Sequence, residues 1–576
     1  MDEPSRGSTV GRALGVVTLH VALVVWLTWP LGANLATHVP HTREIASTDL
    51  PYCAWVLAYE THTLATRPAS ILDANIYHPA PRTLFYGPTY LAALPIYAPV
   101  WAATGNPTLA INFVFLAGLA LTSAALHWVV WRWTASHAAG VIAGWTFLLS
   151  RWTITWFVPT VPPYGVLWYF PFIVAAVATP ARTWRAALRT VPLLVLQSLT
   201  DLIFVGGAVM APAAAIALGR LARPSTRQAG LRLLAALGLT VVVLSPLYLG
   251  YVDVRRREPN ITQQSVWKSW HEFVPLPVGV LDEHVPVSVP HLVWPLVLAG
   301  VSLLALRRGH GRAPSRAWGH AALWLGLGTV LALDGTSLPG VGRFRMPHFL
   351  LFDAAGIGAA LRVSTRFAVA ALIGVSLLAG LAFAELTARA RAGVATLLAL
   401  GVMALTYAEC RENWFRWIVE RKPVPAVYPL EATLEPSPIT QLLRTSDAVV
   451  LELPLLPRAV AGRPHATAMF RSIFHWRPLL NGYGSYYPSG FAERMELALR
   501  APDPEALRTL QRETGLTHLI VNAGSPLARP IWMRAAAAPG SGLRLVAEDD
   551  ATLLFAVEFP PQLPGAGPTA PSSPTT

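Results

Sequence analysis

The sequence predicts a mainly α, polytopic transmembrane protein of about eleven spans, with a small external α/β domain near its C-terminal end. Three observations carry this reading. First, 53% of the 576 residues are hydrophobic and only 13% are charged, and the mean hydropathy is +0.45; soluble domains average about 25% charged residues. Second, apolar runs of roughly 17–25 residues recur along the chain, the length a helix needs to cross the hydrocarbon core. Third, the composition changes after Cys410: residues 411 to about 558 carry Arg, Glu, Pro and His in soluble-like proportion.

The candidate spans are approximately 10–31, 109–131, 138–157, 162–180, 190–204, 206–221, 231–250, 288–306, 317–334, 366–386 and 394–411. The first follows Arg6 and Arg12 with no small-residue cleavage site behind it, so it reads as a retained helix rather than a removed signal. Between the spans lie clusters of arginine: Arg182, Arg185 and Arg189; Arg220, Arg223, Arg227 and Arg232; Arg307, Arg308, Arg312 and Arg316; Arg389 and Arg391. Basic residues favour the cytoplasmic side, and all these clusters fall there when the N-terminus is cytoplasmic. That bookkeeping requires the apolar run Leu91 to Ala103 not to cross. The run is short and broken by Pro95 and Pro99, and proline disrupts a helix interior, so a surface-lying or re-entrant helix is expected. The protein is then a multi-pass protein of the cell (inner or plasma) membrane. The transmembrane part runs 1–411 and includes the first loop, 32–108; this loop and the domain 412–558 are expected outside.

The net charge of +13 follows from these topological arginines and does not indicate a nucleic-acid partner. The two cysteines, Cys53 and Cys410, exclude a disulfide framework and any CxxC metal site; unpaired thiols are expected, with a single Cys53–Cys410 bridge as the alternative. There is no phosphate-binding P-loop, dinucleotide fingerprint, GxSxG elbow or HExxH motif, so a soluble nucleotide is not expected as a direct substrate.

In the C-terminal domain Ala448 to Leu453 and Thr517 to Asn522 read as strands. Pro504 to Thr514 reads as a helix, and Leu543 to Phe559 as a hairpin around Asp549-Asp550. The stretch 559–576, rich in Pro, Gly, Ser and Thr, reads as a disordered tail.

The first external loop concentrates the candidate chemistry. Asp49, in Ser47-Thr48-Asp49-Leu50-Pro51-Tyr52, puts a carboxylate at the membrane face. There it can serve as a general base toward an acceptor hydroxyl or amine, or hold a divalent cation. Its structural role would be a helix N-cap ahead of Pro51. Asp73, Asn75, Tyr77 and His78 form a second polar group before Pro79, suited to building turns or to binding a sugar. Glu60 and His62 lie on the helix between these groups; they could face the same cavity, with solvent the leading expectation. Asp201 is an acid at membrane depth near an external helix end, and such residues are functional by default. Arg151, with Trp152 and Trp156, sits at an external end where aromatic belts form. His271 and Glu272 lie in the long loop 251–287.

Some arginines break the positive-inside pattern. Arg255, Arg256 and Arg257, and then Arg343, Arg345, Arg362 and Arg366, fall on the external side; loops tolerate some basic residues, especially beside acids such as Asp253 and Glu258. Guanidinium forks suit phosphate oxygens, so these are candidate phosphate ligands, with Arg366 and Arg362 favoured over Arg255 and Arg256.

Together these residues resemble the GT-C superfamily of polytopic glycosyltransferases, which includes protein O-mannosyltransferases and lipid A aminoarabinose transferases. In those enzymes a catalytic Asp follows the first helix and juxtamembrane helices come next; Asp49 and Leu91 to Ala103 match these positions. A closer likeness is to large bacterial membrane proteins of the same class. It rests on Asp49, Trp55, Leu72 to Pro79, Thr83-Leu84 and Gly105-Asn106-Pro107, then Arg362 to Phe367, Leu451 to Pro454, and Pro478 to Tyr483. It covers about 30 to 525, with one departure: Thr48 stands where these proteins carry Gly. The resemblance implies an inverting glycosyltransferase that takes a sugar from a polyprenyl-phosphate donor on the external side and passes it to a glycan, lipid or protein acceptor. The alternatives are a non-catalytic GT-C-fold protein of polysaccharide assembly and a lipid or solute transporter, which would show inverted repeats.

Overall fold

The structure, a computed structural model, describes residues 6–41, 46–153, 158–258, 262–263, 274–275, 289–307, 313–333, 335–338, 342–345, 364–418, 430–432, 437–456, 462–524, 527–549 and 551–559. Helix α1 (Arg6–Leu27) leads into the first loop, which carries strand β1 (His38–Pro40), helix α2 (Ala46–Thr66) and the shorter α3 (Leu94–Thr104). Helices α4 (Pro107–Thr134), α5 (His137–Leu148), α6 (Tyr169–Ala178), α7 (Trp184–Leu188), α8 (Thr190–Ser198), α9 (Phe204–Leu221) and α10 (Arg227–Arg257) follow. Beyond the small strands β2 (Thr262–Gln263) and β3 (Val274–Pro275) come α11 (Val293–Leu306) and α12 (Ser315–Ala332). The pair β4 (Gly335–Leu338) and β5 (Gly342–Arg345), α13 (Val369–Leu386) and α14 (Ala392–Ile418) complete this part.

The chain is a multi-pass membrane protein. Each apolar window of the sequence carries a helix, and among the described residues six helices are long and apolar enough to cross a bilayer. These are Val10–Leu27, Pro107–Thr134, Phe204–Leu221, Pro224–Arg257, Thr365–Leu386 and Ala392–Cys410. The run expected to stay at the surface, Leu91 to Ala103, is a 3-10 turn followed by the 11-residue α3 with Pro99 inside it. Eleven residues rise about 16 Å, roughly half the hydrocarbon thickness.

Helix α13 is apolar all round and fully buried, as such a pattern requires. It packs against α12, α5 and α11. Close approach depends on glycine: a Cβ on Gly328 would lie 2.2 Å from the Ala371 backbone nitrogen, and one on Gly374 would lie 2.4 Å from that of Leu325. Small residues let membrane helices touch in this way. Polar links reinforce the bundle. Arg307 pairs with the buried Glu385 of α13, and three imidazoles join α1, α4 and α5. His20 Nε2 is 3.0 Å from His127 Nδ1, and His127 Nε2 is 3.1 Å from His137 Nδ1. Arg151 and Trp152 are buried in the protein, not set in a lipid-facing belt as expected; an arginine at this depth needs protein around it. Trp156 lies outside the described residues. Cys53 and Cys410 are both buried and unpaired.

The C-terminal part contains β6 (Leu430–Ala432), α15 (Pro438–Leu443), β7 (Val450–Leu453), α16 (Gly462–Ser472), β8 (Tyr486–Tyr487), α17 (Phe491–Leu499), α18 (Pro504–Thr514), β9 (His518–Asn522), α19 (Ala528–Ala537), β10 (Leu543–Glu548) and β11 (Thr552–Val557). Its sheet has the order β10-β11-β9-β7, parallel between β7 and β9 and antiparallel elsewhere. The α18 helix is amphipathic, capped by Asp503 at its start and by left-handed Gly515 at its end, the arrangement expected for those residue types.

This sheet does not stop at β7. Residues 478–481 hydrogen-bond to Val450, and the first loop then adds a further rung: Leu479 N–H donates to Asn75 O, Tyr77 N–H to Asn481 O and His78 N–H to Leu479 O. Two further antiparallel pairings, β1 with β6 and β2 with β8, join the C-terminal part to the first loop and to the segment after α10. The polar motif at 75–78 and the segment 478–481 are therefore backbone partners of each other.

Candidate active site

Asp49 lies in the first turn of α2, half-buried. The helix starts three residues before it, at Ala46, so Asp49 is not the N-cap the sequence suggested. Pro51 falls inside the helix, where its missing N–H leaves a carbonyl of the first turn without an intrahelical donor. The Tyr483 hydroxyl donates to Asp49 Oδ1 at 2.7 Å. Tyr483 in turn packs edge-on against Tyr52, and its backbone N–H meets the Met469 sulfur on α16. One turn beyond Asp49, Cys53 is wholly buried; burial pushes its thiol up, the Asp49 charge adds to this, and the Tyr90 hydroxyl and Arg366 oppose it.

Arg366 stands at the entrance to α13. Its guanidinium lies 4.9 Å over the Phe204 ring and 5.5 Å over the Tyr164 ring, and Nη1 donates to the Tyr164 hydroxyl at 3.2 Å. Tyr164 donates onward to Asp201 Oδ2 at 2.6 Å. The other Asp201 oxygen accepts the backbone N–H groups of Ile203 and Phe204, so the acid closes the start of α9 in the manner of an N-cap. It is buried. Both Asp49 and Asp201 lie within Coulombic reach of Arg366, and Cys53 feels Asp49 and Arg366 together. Tyr90 stands between the two, its ring 6.2 Å from that of Tyr164 and its hydroxyl on Cys53, so the first-loop acid and the late-helix arginine flank one cluster of buried side chains from positions 49 and 366 of the chain.

The remaining candidates separate from this centre. Asn75 is buried; its Oδ1 accepts from Trp55 Nε1, and its amide donates to Ser472 Oγ and to Arg477 O. Asp73 is exposed and accepts the Arg82 backbone N–H, while His78 is half-buried beside its rung to Leu479. Asn75 and His78 build the seam between first loop and C-terminal sheet, while the Asp73 bonds stay within the first loop. Arg255 and Arg256 are exposed on the last turn of α10, where cations complement the helix dipole. Their neighbour Arg257 shares Asp253 with Arg82. Arg362, His271 and Glu272 lie outside the described residues.

Glu60 corrects the sequence reading most sharply. Solvent was the leading expectation, yet it is fully buried, with the backbone N–H of Tyr90 near its carboxyl but no hydrogen bond of good geometry to either oxygen. Burial pushes its carboxyl up to about 8, opposed by the backbone N–H of Tyr90. Asp49, Cys53, Val56 and Glu60 follow the spacing of a single helix face, a signal that was present in the sequence. His62 stacks on Trp476 at 4.5 Å. Tyr164 and Tyr483 carried no signal of their own, since each matters only through a distant partner.

Among the described residues no group of three or more His, Cys, Asp or Glu side chains is arranged to hold a metal ion. Asp49 offers a divalent cation one carboxylate, a number that suits Mg²⁺ sites completed by substrate phosphate and water. Chemically, the centre pairs a carboxylate able to take a proton with a cation held between aromatic rings.

No protein-family model matches the chain, and neither does any curated protein. Solved structures do match. The arabinofuranosyltransferase AftD from mycobacteria aligns with 97% of this chain and 40% of its own, at 16% identity and a TM-score of 0.56. A mutant form of the same protein aligns with 97% of this chain and 42% of its own, at 16% identity and 0.52. ArnT from Cupriavidus metallidurans is covered over its full length by 96% of this chain, at 13% identity and 0.48. The chain spans about two fifths of the length of AftD. What the AftD likeness establishes is the fold: the chain shares the arrangement of membrane helices and C-terminal sheet of that arabinofuranosyltransferase structure.

Proposed function

We propose that this chain is an integral membrane glycosyltransferase that moves a sugar from a polyprenyl-phosphate donor to an extracytoplasmic acceptor, either a cell-surface glycan, a lipid or a protein. The observation that carries the reading is the convergence of Asp49 and Arg366 on the side of the fold covered by the first loop and the C-terminal sheet. The GT-C fold it shares with an arabinofuranosyltransferase supports the same class of reaction, although fold alone does not fix activity.

In this mechanism Asp49 takes the proton of an acceptor hydroxyl as that oxygen attacks the anomeric carbon. The bond between the anomeric carbon and the phosphate oxygen breaks, and the polyprenyl phosphate leaves against Arg366. A preorganised cation aimed at developing negative charge is a leading catalytic term, and the ring-lined setting of Arg366 keeps water from screening it. Asp201 and Tyr164 hold the guanidinium in place. Arg362, Arg255 and Arg256 would assist in drawing in the anionic lipid headgroup, and Asp73, Asn75 and His78 would frame the acceptor side beside the seam. The arginine pattern supports a cytoplasmic N-terminus and an extracytoplasmic C-terminal domain in the cell membrane.

The test compares cells that make the protein with cells that lack it, by lipid extraction and mass spectrometry of surface glycans. A glycan or glycolipid that disappears without the protein, and stays absent when Asp49→Asn protein is supplied at normal abundance, is the expected result. Full restoration by Asp49→Asn removes Asp49 from the reaction and the reading with it.

A further inference from the structure

The segment Asn481-Gly482-Tyr483-Gly484 is laid directly on the first loop. A Cβ on Gly482 would fall 2.2 Å from the Tyr77 ring, and one on Gly484 would fall 2.7 Å from the Tyr86 carbonyl oxygen. Side chains larger than hydrogen are excluded at both positions by first-loop atoms. Asn481 fixes the start of the segment, with its Oδ1 accepting from Glu452 N–H and its amide donating to Glu452 O. A third glycine completes the mount, since a Cβ on Gly462, at the start of α16, would lie 2.4 Å from the Tyr483 ring. The Tyr483 side chain leaves this clamped segment and ends on Asp49.

We propose that Tyr483 is a positioning residue that the C-terminal part contributes to the active site, orienting the Asp49 carboxylate and favouring its charged form through the hydroxyl bond. This rests on the reading of Asp49 as the general base, and it adds that the base is set from the far end of the chain. A hydrogen bond to the charged form of a carboxylate lowers its pKa, so the hydroxyl keeps Asp49 ready to accept a proton. The glycines on either side serve this by fixing where the hydroxyl can go. The external C-terminal part is then a component of the catalytic centre as well as a cover over it.

The experiment titrates Asp49 directly. Purified full-length protein is treated with a water-soluble carbodiimide and methylamine across a pH series, and amidation of Asp49 is read by peptide mass spectrometry. Only the protonated carboxyl is activated, so the midpoint of labelling reports its titration. In Tyr483→Phe the midpoint is expected to rise by about one pH unit, the equivalent of one charge-assisted hydrogen bond. The acid limb of any transfer activity should move with it. Gly482→Ala, which displaces the segment without touching the hydroxyl, should shift the midpoint the same way and add little on top of Tyr483→Phe. A midpoint unchanged in Tyr483→Phe protein that elutes and melts like the wild type overturns the positioning role, even where Asp49→Asn is inactive. Conversely, an active Asp49→Asn protein overturns the functional reading while a shifted midpoint in Tyr483→Phe still stands, so the two failures are distinguishable.

Discussion

The hydroxyl of Tyr164 donates to Asp201 Oδ2 at 2.6 Å while accepting from Arg366 Nη1 at 3.2 Å. One phenol therefore links the acid that starts α9 to the cation that opens α13. Because Asp201 also accepts two backbone N–H groups, its position is set by the helix, and the guanidinium inherits that position through Tyr164.

Tyr164→Phe keeps the ring beneath the guanidinium and removes both hydrogen bonds. Loss of a hydrogen bond to a buried charged group costs about 1.5–3 kcal/mol. The expected outcome is a roughly tenfold rise in the donor KM, with the variant protein still inserted and folded. Steady-state transfer at varied concentrations of polyprenyl-phosphate sugar checks it; an unchanged KM would mean that Arg366 is oriented by other groups.

Glu60 makes stability depend on pH. Its carboxyl titrates near 8 in the folded protein, against about 4.5 when exposed, so the folded state holds a proton that the unfolded state releases. The stabilisation is full below pH 4.5 and declines as pH rises toward 8, by about 5 kcal/mol in total. Glu60→Gln keeps the shape and removes the titration. Melting in detergent between pH 5 and 8 should therefore slope downward for the wild type and run nearly flat for Glu60→Gln.

Asn75 joins Trp55, Ser472 and Arg477. Asn75→Ala leaves the buried indole N–H of Trp55 and the Arg477 carbonyl without this partner, at about 1–3 kcal/mol for each unsatisfied group. Amide exchange should quicken at 75–78 and 478–481 together, because the two segments share one set of rungs, with α13 unaffected. Faster exchange confined to 75–78 would show that the seam is not cooperative.

Much of the fold was legible in the sequence because membrane helices are dictated locally. Apolar length gave a helix in every window, and proline placement marked Leu91 to Ala103 as too short to cross. The strands at 450–453 and 518–522 and the helix at 504–514 followed from alternation and capping residues. The site was legible only in part. Asp49 and Arg366 stood out as charges on the external side, but Asp49 sits inside α2, where the sequence suggested a cap. Glu60 was misplaced because a glutamate between polar neighbours reads as solvent-facing unless the helix face is traced from Asp49. Tyr483 meets Asp49 across 434 residues of chain, and Tyr164 meets Arg366 across 202. No local periodicity encodes such contacts, and the polar motif around Asn75 reads as a turn until it is seen to pair with the segment around Asn481.

The rung between Asn75 and the C-terminal sheet also sets an order of events during biosynthesis. Asn75 leaves the ribosome 402 residues before Arg477, its partner. At about 5–20 residues per second, the first loop waits on the order of 20–80 s for the strand that completes it. Through that interval the Asn75 carbonyl and the Tyr77 and His78 N–H groups lack their native partners, and the membrane helices are inserted in the meantime. Assembly of this protein therefore finishes with the segment around Arg477 joining the first loop beside helices that are already inserted.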